Sequence, residues 1–450
     1  MKYIQILVLG LASLVSQLAT AQAVGTPYLP DSYIPFSFLY GGDGMEAMRN
    51  NIGNMQQTSD GGYIIAGGTK SSSASGDISG TSRGDSDAWI LKVDALGKKQ
   101  WEKRYGGSFE DYAVSVKQTA EGGYIVACTT RSQNSGEVGA NHGSNRMDYW
   151  ILKLDALGAI QWNKIYGGIY DEIAYDVVQT TDGGYIIVGN ASSLGGGDIT
   201  PIPPRGGVDI WVLKLDTSGN KLWDKLYGGD LHEELAKITK TSDGGYIITS
   251  YTSSSASGDV SGTNNGTSDF WIIKLDASGN KMWDKIYGGS GQDHPYSIRQ
   301  TSDGGYIVVG VATSGFSGDI SGPKGGWVIK LNASGNMQWN KVVESQTNAY
   351  DAQQTPDNGY LILGTDYSYI ANTFVVKLDT AGNQLWEKSY ATSVGSSNGV
   401  SLQLTIDGNY VIGGYRSSQA GVDTSNGASD FWIMKIDPSG ETIRVPDVGQ

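Results

Sequence analysis

Thr180-Thr181-Asp182-Gly183-Gly184-Tyr185-Ile186-Ile187-Val188 is a tight turn that runs straight into a β-branched apolar strand. The two glycines supply the positive φ that a hairpin turn demands. Before the turn, Ile173 to Gln179 is a short apolar segment. After the strand, a Gly/Ser/Pro loop from Asn190 to Val208 leads to Asp209-Ile210-Trp211-Val212-Leu213-Lys214-Leu215-Asp216. The turn Thr217-Ser218-Gly219-Asn220 then precedes Leu222-Trp223-Asp224-Lys225-Leu226-Tyr227. No stretch has the 3.6-residue apolar period of a helix, and the continuous apolar runs fit strands buried on both faces. This unit is therefore four antiparallel strands, the composition of a propeller blade.

The unit repeats. The turn tyrosine recurs as Tyr63, Tyr124, Tyr185, Tyr246, Tyr306, Tyr360 and Tyr410, and a fixed period of this size means a repeat architecture. The fourth-strand signature W-x-K-x-Y stands at Trp101–Tyr105, Trp162–Tyr166, Trp223–Tyr227 and Trp283–Tyr287. Looser versions lie at 339–343 and 386–390. The last copy has its third strand, Phe431 to Lys435, but no fourth-strand aromatics. Phe36-Ser37-Phe38-Leu39-Tyr40-Gly41-Gly42 aligns instead with Trp101 to Gly107, so the N-terminal segment supplies the missing strand. The expected fold is an all-β, seven-bladed β-propeller of four-stranded blades, closed by its two ends. Closure removes two exposed sheet edges. An open solenoid would need distinct caps rather than a first strand that completes the last repeat.

The composite D-x-W-I-x-K-L-D-x-x-G-N-x-x-W-x-K-x-Y-G-G, followed by Q-T-x-D-G-G-Y-I-I-x-G, stands at Asp269 to Gly289 and Gln300 to Gly310. It resembles the repeats of secreted β-propeller proteins of Bacteroidota and some archaea, over about residues 33 to 440. The resemblance implies an extracellular or cell-surface propeller. Many such proteins carry a C-terminal sorting or adhesive module, whereas this chain ends ten residues after Gly440.

Lys2, the apolar run Ile4 to Val15 and Ala19-Thr20-Ala21 read as a signal peptide over 1–21, cleaved before Gln22, with residues 22–450 forming a single propeller domain. The apolar run is shorter than a membrane span and no later one reaches that length, so the mature chain is expected to be secreted, not membrane-spanning, and monomeric. The formal charge of −14 disfavours nucleic acid and anionic membranes as partners. It also makes polyanionic glycans poor ligands unless a local basic patch exists. The single cysteine, Cys128, excludes an intramolecular disulfide and sits in an apolar strand as a buried small residue.

Loops between blades and the long loops joining second to third strands converge on one face, where ligand sites of closed rings collect. The sixth residue after the Y-G-G tyrosine is acidic in five copies: Glu46, Asp111, Glu172, Glu233 and Asp293. These are the candidate ligand-binding residues. As a structural set, each would accept hydrogen bonds from nearby glycine amides; as a functional set, they would hold Ca²⁺ or supply an acid/base pair. A second motif, Gly-Asp-[Ile/Val]-[Ser/Thr], recurs at residues 76–79, 197–200, 258–261 and 318–321. Its Asp and Ser are turn formers without the EF-hand spacing of a Ca²⁺ loop. His232 and His294, in equivalent loops beside Glu233 and Asp293, are the candidate catalytic cluster for a lyase or hydrolase. No nucleophile motif accompanies them. His142, with Arg131 and Arg146, forms a local basic spot. The strand tryptophans read as inter-blade core.

Near-identical repeats present equivalent surfaces around a ring and favour multivalent contact. The sequence therefore reads as a non-catalytic binding protein for an extracellular glycan or surface protein. A glycan-active lyase or hydrolase and a structural spacer of a surface assembly are the alternatives.

Overall fold

A computed structural model describes residues 33–47, 54–72, 74–143, 145–192, 195–201, 206–345, 347–367, 370–391, 395–417 and 429–446. The leader at 1–21 lies outside them. The chain divides into two units, Met1–Pro35 with Arg444–Gln450, and Phe36–Ile443. In the first, Tyr33–Pro35 pairs antiparallel with Arg444–Pro446. Among the described residues no helix is long and apolar enough to cross a membrane.

The second unit is the seven-bladed propeller. Blade 3 shows the pattern: Glu172–Gln179, Tyr185–Ala191, Asp209–Leu215 and Lys221–Tyr227, hydrogen-bonded in that order. The first strands pack beside one another around the centre, and blade 7 meets blade 1 to close the ring. In blade 1 the described parts of the first strand, Glu46–Ala47 and Asn54–Gln57, both pair with Tyr63–Thr69. In blades 2 to 7 each first strand has a register shift, as between Ala174 and Asp176. Such a bulge re-aims the side chains that follow it.

Closure follows the expected alignment side chain by side chain. Ser37–Tyr40 pairs antiparallel with Ser429–Ile436 as the outer strand of blade 7. Elsewhere a buried third-strand Trp donates to its fourth-strand neighbour, as Trp89 Nε1 does to Glu102 Oε2 at 2.9 Å. Trp432 Nε1 donates in the same way to Ser37 Oγ at 2.9 Å. Trp101 meets the turn tyrosine of the next blade, Tyr124, edge-on at 5.7 Å, and Phe36 meets Tyr63 in the same manner at 5.9 Å. Each fourth-strand Tyr hydroxyl donates to a turn carbonyl of the next blade, Tyr287 to Gly335 at 2.6 Å and Tyr390 to Gly440 at 2.9 Å. Tyr40 does this to Gly97.

One element was missed in the sequence. The Lys of each third strand is buried, and its ammonium reaches the acid of the tight turn between its own blade's first and second strands. Lys92–Asp60, Lys214–Asp182, Lys274–Asp243 and Lys377–Asp357 lie at 2.9, 2.8, 2.9 and 2.7 Å. These pairs tie the turn between first and second strands to the third strand. Cys128 is buried and free, and burial pushes its thiol pKa well up.

Candidate functional site

The between-blade loop is a run of backbone amides, each capped by a side chain. At the junction of blades 1 and 2, Gly107 N donates to Asp111 Oδ2 at 2.7 Å and Gly106 N to Glu137 Oε2 at 3.2 Å. Ser108 N and Phe109 N donate to Ser135 Oγ and Ser132 Oγ at 3.0 and 2.9 Å. Four exposed-loop donors are thereby satisfied, and the loop is held in one shape.

All five sequence-singled carboxylates do this work. Glu46, Asp111, Glu172, Glu233 and Asp293 are each 0% exposed. Each accepts from the second glycine of Y-G-G, at 2.9, 2.7, 2.7, 2.9 and 2.7 Å in that order. Hydroxyls supply further bonds: Thr69 and Ser71 to Glu46 at 2.8 Å, Ser132 to Asp111 at 2.7 Å and Thr252 to Glu233 at 2.6 Å. The carboxylates open the first strands as buried caps.

The Gly-Asp-[Ile/Val]-[Ser/Thr] motif serves the same loop. Asp77 Oδ2 accepts from Gly41 N at 3.3 Å, Asp77 N donates to Gly41 O at 2.8 Å, and Ile78 is buried beneath. A third acid, the first residue of the third strand in blades 1 to 4 (Asp87, Asp148, Asp209 and Asp269), completes the group there and was missed in the sequence. A Cβ at Gly228 would collide with the Asp209 carboxylate and come within 2.6 Å of Glu233 Oε2, which is why glycine stands there. Burial, and then the carboxylates of Asp198 and Asp171, push Asp148 up to about 7. Burial, with Asp293 and Asp319, does the same for Asp269, also to about 7. Among the described residues no group of three or more His, Cys, Asp or Glu side chains is arranged to hold a metal ion.

The histidines have separate partners. Nδ1 of His232, an exposed residue, accepts from Val208 N at 3.2 Å, in the long loop of blade 3. His294 lies in the first strand of blade 5, stacked on Tyr251 at 4.3 Å with Nε2 3.0 Å from Ser268 Oγ; burial lowers its pKa. His142 bridges two aspartates, Asp148 at 3.3 Å and Asp198 at 3.2 Å. Arg131 and Arg146 pair with Glu110 and Asp171 at 3.5 and 3.2 Å.

Two features differ between copies. At the fourth residue after the Y-G-G tyrosine, three successive junctions carry Phe109, Tyr170 and Leu231, respectively 44%, 49% and 49% exposed. Gly44 and Gly291 hold that place elsewhere. The second feature is a cavity of about 490 Å³ among the first strands, lined by Lys117, Lys237 and Arg299 together with Asp176 and Asp351. Lys240, exposed at its lip, adds a further cation.

No family model matches the chain. One similar curated protein is the regulatory protein FlaEY of Caulobacter vibrioides, 27% identical over 164 residues. That match covers 35% of this chain and only 17% of FlaEY. Similar solved structures include a puromycin hydrolase, at 10% identity and a TM-score of 0.51, over 90% of this chain and 53% of that one. The Neurospora crassa Pan2 WD40 domain aligns at 10% identity and 0.46, over 90% of this chain and 97% of that one. The Pseudomonas aeruginosa periplasmic gluconolactonase aligns at 11% and 0.44, over 79% and 95%. At such identities the likeness concerns the fold alone.

Proposed function

We propose that this is a secreted, non-catalytic binding protein, similar in role to the extracellular propellers that its repeats resemble, and that it holds a glycan on its loop face. The observation that supports this reading is the rim of Phe109, Tyr170 and Leu231. Apolar side chains of this size are exposed at one loop position in three adjacent junctions, on backbone pinned by side-chain caps. A fixed aromatic ring stacks on the apolar face of a sugar with little ordering cost. Three such points in a row suit a repeating ligand, because linked weak contacts raise the overall affinity.

The recurring carboxylates cap the loops, so the reading rests on the rim and not on the acids. Their oxygens are occupied by amides and hydroxyls, and His232 and His294 are engaged with different loops. A glycan array probed with the mature chain, followed by calorimetric titration of the strongest hit, tests the proposal. Binding that falls sharply in the Phe109→Ser/Tyr170→Ser/Leu231→Ser variant supports it. Release of shortened product from the same glycan, abolished by His232→Ala or His294→Ala, would replace it with the lyase or hydrolase reading. Binding of a surface protein but of no glycan would replace the ligand class.

A further inference from the structure

The cavity at the centre of the ring carries a charge imbalance that its own side chains do not resolve. Its two carboxylates are fully engaged. Asp351 accepts from Arg299 Nε and Nη2 at 3.2 and 2.7 Å, from Ser297 Oγ at 2.7 Å, and from Ala352 N and Leu402 N at 2.9 Å. Asp176 accepts from Ser115 Oγ at 2.7 Å, Val177 N at 3.0 Å and Ile238 N at 3.4 Å. Arg299 spends its remaining donors on Gln353 Oε1 at 3.2 Å and Leu402 O at 2.9 Å.

Lys237 is treated differently. Among the described residues its ammonium makes one hydrogen bond, a long one of 3.4 Å to Tyr175 O. It stands in the field of Asp176 and Asp351 but also of Lys117 and Arg299, and burial lowers its pKa. An ammonium has three donors, and on the half-buried Lys237 two of them stay open to the cavity. Gln56 and Gln403 point the same way. Their amide oxygens accept from Gln118 N and Gln57 N, both at 2.6 Å, while their NH2 groups make no hydrogen bond to the described residues. The Lys237 ammonium and the two glutamine NH2 groups thus offer donors at the cavity wall.

We propose that this cavity binds one small carboxylate-bearing ligand, of the size of an acidic monosaccharide, with its carboxylate on the Lys237 ammonium. Leaving aside Lys240, which is exposed, three lining cations face two carboxylates, so the excess is one unit and suits a carboxylate rather than a phosphate dianion. The volume of about 490 Å³ falls within the range of small-ligand pockets. The Tyr296 ring at the wall and the two glutamine NH2 groups provide a face and donors for a hydroxylated ring. In a chain of net charge −14, this is the local positive patch that an acidic sugar requires. The site is separate from the loop rim, and each can fail without the other.

The test is calorimetric titration of the mature chain with sodium glucuronate, and with glucose at the same concentrations. Saturable one-to-one binding of glucuronate without binding of glucose is expected, with sodium acetate acting as a competitor. Lys237→Met should weaken glucuronate by roughly 10- to 100-fold, the worth of one charge-assisted hydrogen bond. Its melting temperature should hold, since the half-buried Lys237 ammonium makes only one long hydrogen bond. Lys237→Gln serves as a second variant with the same expectation for binding. No saturable binding of glucuronate, equal binding of glucose, or undiminished affinity in both variants would overturn the proposal.

Discussion

Replacing Phe36 by Ala tests closure of the ring at a single side chain. Phe36 is fully buried, 5.0 Å edge-on from Phe38 and 5.9 Å from Tyr63 of blade 1. Its backbone is tied on both sides, Phe36 N to Ile443 O at 2.7 Å and Lys435 N to Phe36 O at 3.0 Å. The backbone therefore cannot move in to fill the space, and the full cost of a large-to-small change, about 3–5 kcal/mol, is expected. Unfolding entropy is near 2.1 cal/mol/K per residue, so for a ring of about 400 residues the drop in melting temperature should be roughly 4–6 °C. Scanning calorimetry of wild type and variant reads this directly. Phe316→Ala, at a side chain 74% exposed, is the control and should stay within about 1 °C. If Phe36→Ala melts within about 1 °C of wild type, the aromatic cluster at the seam does not close the ring and the argument fails.

The clamp between turn and third strand should be asymmetric. The Lys214 side chain is 6% exposed and that of Asp182 is 59%, so Asp182→Ala strands a buried ammonium and should cost about 2–3 kcal/mol, whereas Lys214→Met leaves a hydrated carboxylate and should cost about 1 kcal/mol or less; equal costs by denaturant titration would contradict this. Stability should be greatest at mildly acidic pH. Hydrogen bonds from the partner lysines hold Asp182 and Asp357 at about 2, below the ordinary 3.8, so that contribution is present above pH 4 and lost as pH falls toward 2. Asp148 and Asp269, raised to about 7, favour the folded state below pH 3.8, and this contribution is lost as pH rises through 7. His294, lowered by burial, opposes this trend as a single group. The melting temperature should rise from pH 8 to pH 5.5, less steeply in Asp269→Asn; a flat or inverted wild-type profile would refute the assignment.

The fold was legible because each device that makes a blade recurs as a short string. The D-G-G turn marks one hairpin, the W-x-K-x-Y strand marks the next, and the orphaned Phe36–Tyr40 matched a place that the last copy lacked. The candidate site was less legible, for a geometric reason. A period of acids at the sixth residue is visible in sequence, but the amides and hydroxyls around them come from three separate segments, so burial could not be read. The Lys in each Asp-x-Trp strand was a signal, being a charge amid continuous apolar residues, although its partner lies in a turn about 30 residues earlier. His232 and His294 share a loop type yet not a place, since one precedes the acid and the other follows it into the strand. The tunnel charges fall beyond the first-strand bulges, where neighbouring copies have Asp, Gln, Ser, Val or Thr, and only the register brings Lys117, Lys237 and Arg299 to one cavity.

The account rests on a division of labour, in which recurring residues build the ring and copy-specific residues at its loop face bind the ligand. A crystal structure of residues 22–450 with the strongest glycan from the array tests this most directly. The account predicts intact glycan against Phe109, Tyr170 or Leu231. Glycan seated instead on the opposite turns around Leu157, or cleaved product beside His232 or His294, would contradict it.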